Sequence, residues 1–264
     1  MKKAFYLLLA VSTFMVSCSD DDSGNNPAAS ADVYLPLNTG NYWVYDVPGS
    51  FQTGRDSLYV ANDTVISGTT YTKFKTGSLA YGFFSAALSA NGGVRNDGGK
   101  LMLTGTTAVN FIEEFPINIP VTNLVILDAG ASVNSELGNV SGSFEQVYNE
   151  LPLTFTYSLA TTAKENLESY TIGGETYTDV KRVETKLNLS IGVSFEGSTI
   201  TLLPAQDVAI SSQYYAKDIG MVHVNTTFQY QVSALFASQF TSMFGLPSSG
   251  TQTQQEILDT YSVQ

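Results

Sequence analysis

Beyond residue 32, apolar and polar residues alternate in short runs bounded by Gly, Asn, Asp and Pro. Tyr42-Trp43-Val44-Tyr45-Asp46-Val47, Ser57-Leu58-Tyr59-Val60 and Thr154-Phe155-Thr156-Tyr157-Ser158-Leu159 read as half-buried strands. Lys186-Leu187-Asn188-Leu189-Ser190-Ile191 alternates cleanly, which predicts one wet face. Asn96-Asp97-Gly98-Gly99 is a strong turn signal. Helical periodicity is nearly absent. Only residues 234–244, with Phe236, Phe240, Met243 and Phe244 at helical spacing, suggest a helix, so at most one short helix is expected. The pattern predicts an all-β body, either an antiparallel curled sheet or half-open barrel, or else a β-sandwich.

Two segment pairs look alike. Ile66-Ser67-Gly68-Thr69-Thr70-Tyr71-Thr72 matches Ile172-Gly173-Gly174-Glu175-Thr176-Tyr177-Thr178, and Leu37-Asn38-Thr39-Gly40 matches Leu127-Asp128-Ala129-Gly130. The order is the same in each half. Residues 32–264 are therefore expected to form one β-domain, with a signal of two related halves.

The first 17 residues read differently. Lys2 and Lys3 precede an uncharged, mostly apolar run from Ala4 to Val16. That run falls short of the ~20 residues needed to cross a bilayer and suits a signal peptide. It ends in Met15-Val16-Ser17-Cys18, which resembles a bacterial lipobox. The resemblance implies cleavage before Cys18 and lipidation of its sulfur and new N-terminus. Several acyl chains at roughly 0.8 kcal/mol per buried CH₂ would anchor the protein stably in a membrane. Ser19 to Ala31 lacks periodicity and reads, with Cys18, as an 18–31 tether. Its Asp20-Asp21-Asp22 cluster resembles the surface-export signal of Bacteroidota lipoproteins.

Three stretches carry a wider resemblance: Tyr34-Leu35-Pro36-Leu37-Asn38-Thr39-Gly40-Asn41-Tyr42-Trp43-Val44-Tyr45, Tyr214-Tyr215-Ala216-Lys217-Asp218-Ile219-Gly220-Met221-Val222, and Glu256-Ile257-Leu258-Asp259-Thr260-Tyr261. Together the pattern resembles uncharacterised Bacteroidota lipoproteins. The resemblance implies a single antiparallel β-domain and no particular activity. Read physically, Pro36 stiffens the approach to the first strand, Trp43 is a core anchor, and Gly220 permits a bulge or close backbone approach.

Composition narrows the chemistry. The chain has 264 residues, with 15 Tyr, 15 Phe, one Cys and one His. One Cys and one His supply neither a structural zinc site nor an internal disulfide, and no cofactor or metal is expected. Twelve Lys+Arg against 24 Asp+Glu give −12, and loss of Lys2 and Lys3 leaves 10 − 24 = −14. That balance disfavours nucleic acid. Gly98-Gly99-Lys100 fails as a phosphate loop, because Val94 and Leu101 stand where it needs Gly and Ser/Thr. His223 is expected on a strand surface, opposite the face of Val222 and Val224. Adjacent Glu113 and Glu114 would point to opposite strand faces, so they cannot form a hydrolytic pair.

Two weaker signals remain. Asp56-Ser57-Leu58 and Asp63-Thr64-Val65 resemble an O-glycosylation sequon of Bacteroidota, which would place sugars on Ser57 and Thr64 and requires exposed hydroxyls. Ile219 to Gln255 contains no Asp, Glu, Lys or Arg, and its Phe236, Phe240 and Phe244 suggest a ligand surface. The expectation is a lipid-anchored outer-membrane lipoprotein, facing the cell surface and not an enzyme, that binds a glycan or a protein. The alternatives are a periplasmic carrier of lipid or lipoproteins, or another envelope assembly factor, and a carboxylate-dependent glycan hydrolase.

Overall fold

The computed structural model describes residues 32–50, 52–112, 115–148, 150–195, 198–245 and 247–264. The signal peptide, Cys18 and the tether lie outside them. The described residues form twelve strands and two short helices: β1 (Tyr42–Val47), β2 (Gly54–Ile66), β3 (Thr69–Thr76), α1 (Phe83–Ser89), β4 (Gly92–Asp97), β5 (Lys100–Ile112), β6 (Phe115–Asp128), β7 (Glu136–Tyr148), β8 (Leu151–Ile172), β9 (Glu175–Phe195), β10 (Ser198–Ala216), β11 (Gly220–Gln231), α2 (Ala237–Phe244) and β12 (Ser249–Ser262).

All strands join one antiparallel sheet in the order β6-β5-β4-β3-β2-β1-β12-β11-β10-β9-β8-β7. This is an up-and-down meander closed by pairing its first strand with its last, with Trp43 opposite Tyr261. The sheet curls into a nearly closed barrel, as the alternation predicts, and the sandwich alternative falls. Strands β6 and β7 meet without a ladder, but the Thr161 hydroxyl on β8 donates to the Val125 carbonyl on β6 at 2.6 Å. Pro116 and Pro120 on β6 lack N–H donors, which suits an edge strand.

Each predicted alternation holds. Trp43, Tyr45, Val47, Leu58, Val60, Phe155, Tyr157, Leu187 and Leu189 are all buried, while their neighbours are half-buried or exposed. The three Gly-containing turns are two-residue hairpin loops with positive φ throughout: Ser67-Gly68, Gly98-Gly99 and Gly173-Gly174. Such loops match the twist of the strands they join. The first and third join strands two and three of each six-strand half. Likewise, Leu37–Gly40 precedes β1 and Leu127–Gly130 leads toward β7, so both repeated motifs occupy equivalent places.

Helix α2 falls within the expected 234–244 region and ends on Gly245 in the left-handed conformation, whose N–H reaches Thr241 O at 3.0 Å. Helix α1 corrects the expectation of at most one helix. It has seven residues, too few for a period to register, and its own sequence supplies no cap.

Parts of the three family-like stretches meet at one end of the barrel, at Trp43, Gly220 and Tyr261. Trp43 is fully buried, and its Nε1 donates to Ile219 O at 2.7 Å. Gly220, at φ +120°, lies directly under the indole, and a Cβ there would come within 2.8 Å of Nε1. Gly220→Ala is therefore expected to destabilise the fold by about 1–3 kcal/mol through clash and backbone strain. A lowered denaturation midpoint, together with altered emission from the sole tryptophan, would register it.

Candidate functional site

In an antiparallel meander, successive connections alternate between the two ends. One end therefore carries the turns 67–68, 98–99, 129–135, 173–174 and 217–219, together with both termini of the described body. Asp218 N–H donates to Val33 O at 2.7 Å, and the Asn38 side chain reaches Gln264 O at 2.6 Å. The chain enters the barrel here. The charges gather here too: Lys217 pairs with Asp32 at 2.7 Å, and Asp179 accepts from the Tyr34 hydroxyl at 2.8 Å.

The opposite end carries both helices and is divided by charge. The β1–β2, β3–β4 and β11–β12 connections are neighbours around the barrel. Residues 48–54, 76–94 and 219–255 contain no Asp, Glu, Lys or Arg. Among the described residues of the remaining connections, Glu150 carries a charge. Half of this rim is thus an uncharged arc. It presents Leu79 at 92% exposure, Leu235 at 81% and Tyr81 at 42%.

The predicted aromatic residues lie on this arc but are packed into it. Phe240 is buried with its ring 6.1 Å from that of Tyr230, and Phe236 is half-buried against the core. The Phe244 side chain lies outside the described residues. The residues that stand out into solvent are Leu79, Tyr81 and Leu235. Leu235 falls in the uncharged 219–255 stretch, whereas sequence reasoning passed over Leu79 and Tyr81 because single apolar residues in loops have no periodicity.

A buried polar cluster lies beneath the arc. Asp56 on β2 accepts from the N–H groups of Tyr81 (2.8 Å) and Gly82 (2.7 Å). Gln254 on β12 accepts from Phe83 N–H at 2.8 Å and donates to Tyr81 O at 2.8 Å. Glu256 accepts from Phe84 N–H (2.7 Å), Ser85 N–H (3.0 Å) and the Ser85 hydroxyl (2.5 Å). Five successive backbone donors are thus satisfied by three side chains from distant strands, which explains how α1 forms without a cap of its own. Burial pushes the Glu256 carboxyl up to about 7, against the pull of its Ser85 and backbone hydrogen bonds.

The fold does bring two buried carboxylates to one place, then, but both are engaged with backbone. Glu113 and Glu114 lie outside the described residues. Ser57 is exposed, as a glycosylated serine must be, whereas Thr64 is half-buried. Trp43 is sealed from solvent and cannot stack on a ligand.

His223 is not the surface residue expected from its strand. Its Cα partners are Tyr214 and Ile257, and the tip of the long β8–β9 hairpin reaches across it. The Tyr170 hydroxyl meets His223 Nδ1 at 2.7 Å, and the Tyr170 ring stacks on Tyr214 at 4.2 Å. Only 6% of His223 remains exposed. Burial lowers its pKa, while the Gln255 side chain, acting as an acceptor toward the ring, works the other way.

No protein-family model matches the chain, and no curated protein matches it. Among solved structures, a Parabacteroides distasonis protein provisionally described as a lipoprotein is similar at 11% identity and a TM-score of 0.37. The match covers 88% of this chain and 99% of that one. At that score it carries no functional weight.

Proposed function

We propose that this chain is a lipid-anchored outer-membrane lipoprotein whose barrel is a non-enzymatic binding module at the cell surface, with the uncharged arc as its contact face for a glycan or a protein. The observation that carries the reading is polarity. The arc and its exposed Leu79, Tyr81 and Leu235 lie at the end opposite the one where the chain enters at Asp32. The non-enzymatic reading is supported by the engagement of both buried carboxylates, Asp56 and Glu256, with α1. A carrier needs an open interior, whereas Trp43, Phe74, Phe84, Leu88, Phe155 and Tyr215 fill this one.

Protease treatment of intact cells expressing the full chain tests the orientation. The protein is expected to be digested while periplasmic markers survive, and a variant lacking Asp20 to Asp22 is expected to be protected. Protection of the natural chain until the cells are lysed would place the barrel in the periplasm and overturn the reading.

A further inference from the structure

The sheet ends in two strands, β6 and β7, that share no ladder among the described residues. At their closest approach they do not lie edge to edge. A Cβ on Gly138 of β7 would come within 3.0 Å of Val125 N, and the Thr161 side chain on β8, one strand further in, reaches Val125 O. Side chains stand out of the plane of a sheet. Strand β6 therefore crosses the inner face of β7 and β8 at this point and does not cover the in-plane edge of β7 there.

A free edge offers a row of backbone N–H and C=O groups to another strand. The two edges of this sheet differ. Strand β6 carries Pro116 and Pro120, which have no N–H to offer. Strand β7 runs for 13 residues with no Pro, Lys or Arg. None of them is buried, although Val140 and Phe144 on its inner face pack against the core. On its outer face Asn139, Ser141, Ser143 and Glu145 are exposed.

We propose that β7 is a dimerisation edge, pairing antiparallel with β7 of a second copy about a two-fold axis at Gly142. The strand is self-complementary in the register that overlaps all 13 of its residues. There Val140 faces the partner's Phe144, Asn139 faces the partner's Glu145, and Ser141 faces the partner's Ser143. Each contact occurs twice. Apolar meets apolar on the inner face and an amide meets a carboxylate on the outer face, while Glu136 falls opposite the partner's Tyr148, so no acid faces an acid. The Ser158 hydroxyl donates to Asn139 Oδ1 at 3.4 Å, which leaves the Asn139 amide N–H groups to donate to that carboxylate. Such an interface is isologous and closes at two copies. Pairing β6 of one copy with β7 of the next would instead build an open chain, which the prolines disfavour.

Analytical ultracentrifugation of the full chain in density-matched detergent tests this, with charges exchanged across the contact. Asn139 and Glu145 are six positions apart on one strand, about 20 Å, so their side chains cannot meet within one copy. The natural chain is expected to sediment as a dimer. Asn139→Glu sets two like-charge pairs in the interface and is expected to raise the dissociation constant of the dimer roughly tenfold. Asn139→Glu combined with Glu145→Lys turns both into opposite-charge pairs and is expected to restore the dimer. Both side chains are exposed, so each variant is expected to keep the circular dichroism spectrum of the natural chain. A natural chain that stays monomeric at every concentration would overturn the pairing of two copies and leave the edge to an extended strand of another protein. A dimer unmoved by Asn139→Glu, or weakened by it and not rescued by the exchange, would place the interface elsewhere and overturn the proposal equally.

Discussion

Replacing Trp43 by alanine is expected to cost about 3–5 kcal/mol of stability, a large share of the 5–15 kcal/mol that holds a typical domain together. The ring is fully buried, lies 6.1 Å from Phe74, and covers Gly220 at the β10–β11 turn. Truncation leaves a cavity where three parts of the chain meet: β1, that turn, and β12 opposite. It also leaves the Ile219 carbonyl without the indole donor it now accepts from at 2.7 Å. Trp43→Phe keeps much of the apolar contact and loses the hydrogen bond, so its cost should be smaller, about 1–2 kcal/mol. Urea denaturation followed by far-ultraviolet circular dichroism would measure both. An alanine variant as stable as the natural chain would mean that the indole does not anchor this end.

The indole also shows what the sequence could and could not reveal. The stretches around Trp43, Gly220 and Tyr261 lie far apart in the chain, and each reads separately as an anchor, a close approach or a strand. In the fold they are one assembly, with Trp43 against Gly220 and across from Tyr261. Strand periodicity and turn chemistry are local, so the strands and the hairpins at 67–68, 98–99 and 173–174 were legible. The partners of α1 were not, since they lie 25 to 173 positions away from the residues they hold. Nothing in Phe83–Ser89 itself announces a helix capped by Glu256.

The same distinction governs the candidate contact face. The absence of charge from 219–255 could be read directly from the sequence. Its continuation through 48–54 and 76–94 could not be read as one surface, because only closure of β1 on β12 makes those connections neighbours. Periodicity favoured Phe236, Phe240 and Phe244, yet an aromatic that repeats at helical spacing is one that packs. His223 failed for a related reason. Its strand alternation was read correctly, but the outer face on which it lies is covered by a hairpin tip beginning some fifty residues upstream.

Asp56 and Ser57 are adjacent and should respond oppositely to substitution. Asp56→Ala removes the acceptor for two backbone N–H groups, Tyr81 and Gly82, from a buried site. An unsatisfied buried donor costs about 1–3 kcal/mol, so a loss of about 3–5 kcal/mol is expected for the pair together with the lost packing. Asp56→Asn retains one acceptor and should lose roughly half of that. Ser57 lies on the opposite, solvent face of β2, and Ser57→Ala should change stability by less than about 0.5 kcal/mol. Denaturation midpoints of the full chain in detergent micelles separate the three variants. Intact-mass measurement adds an independent readout, since a sugar on Ser57 would disappear in Ser57→Ala while stability stayed unchanged. The acidic residue preceding that serine would then hold residues 81 and 82 from the inside of the strand and mark a modification site on its outside. If Asp56→Ala is as stable as Ser57→Ala, the hydrogen bonds to Tyr81 and Gly82 contribute nothing net.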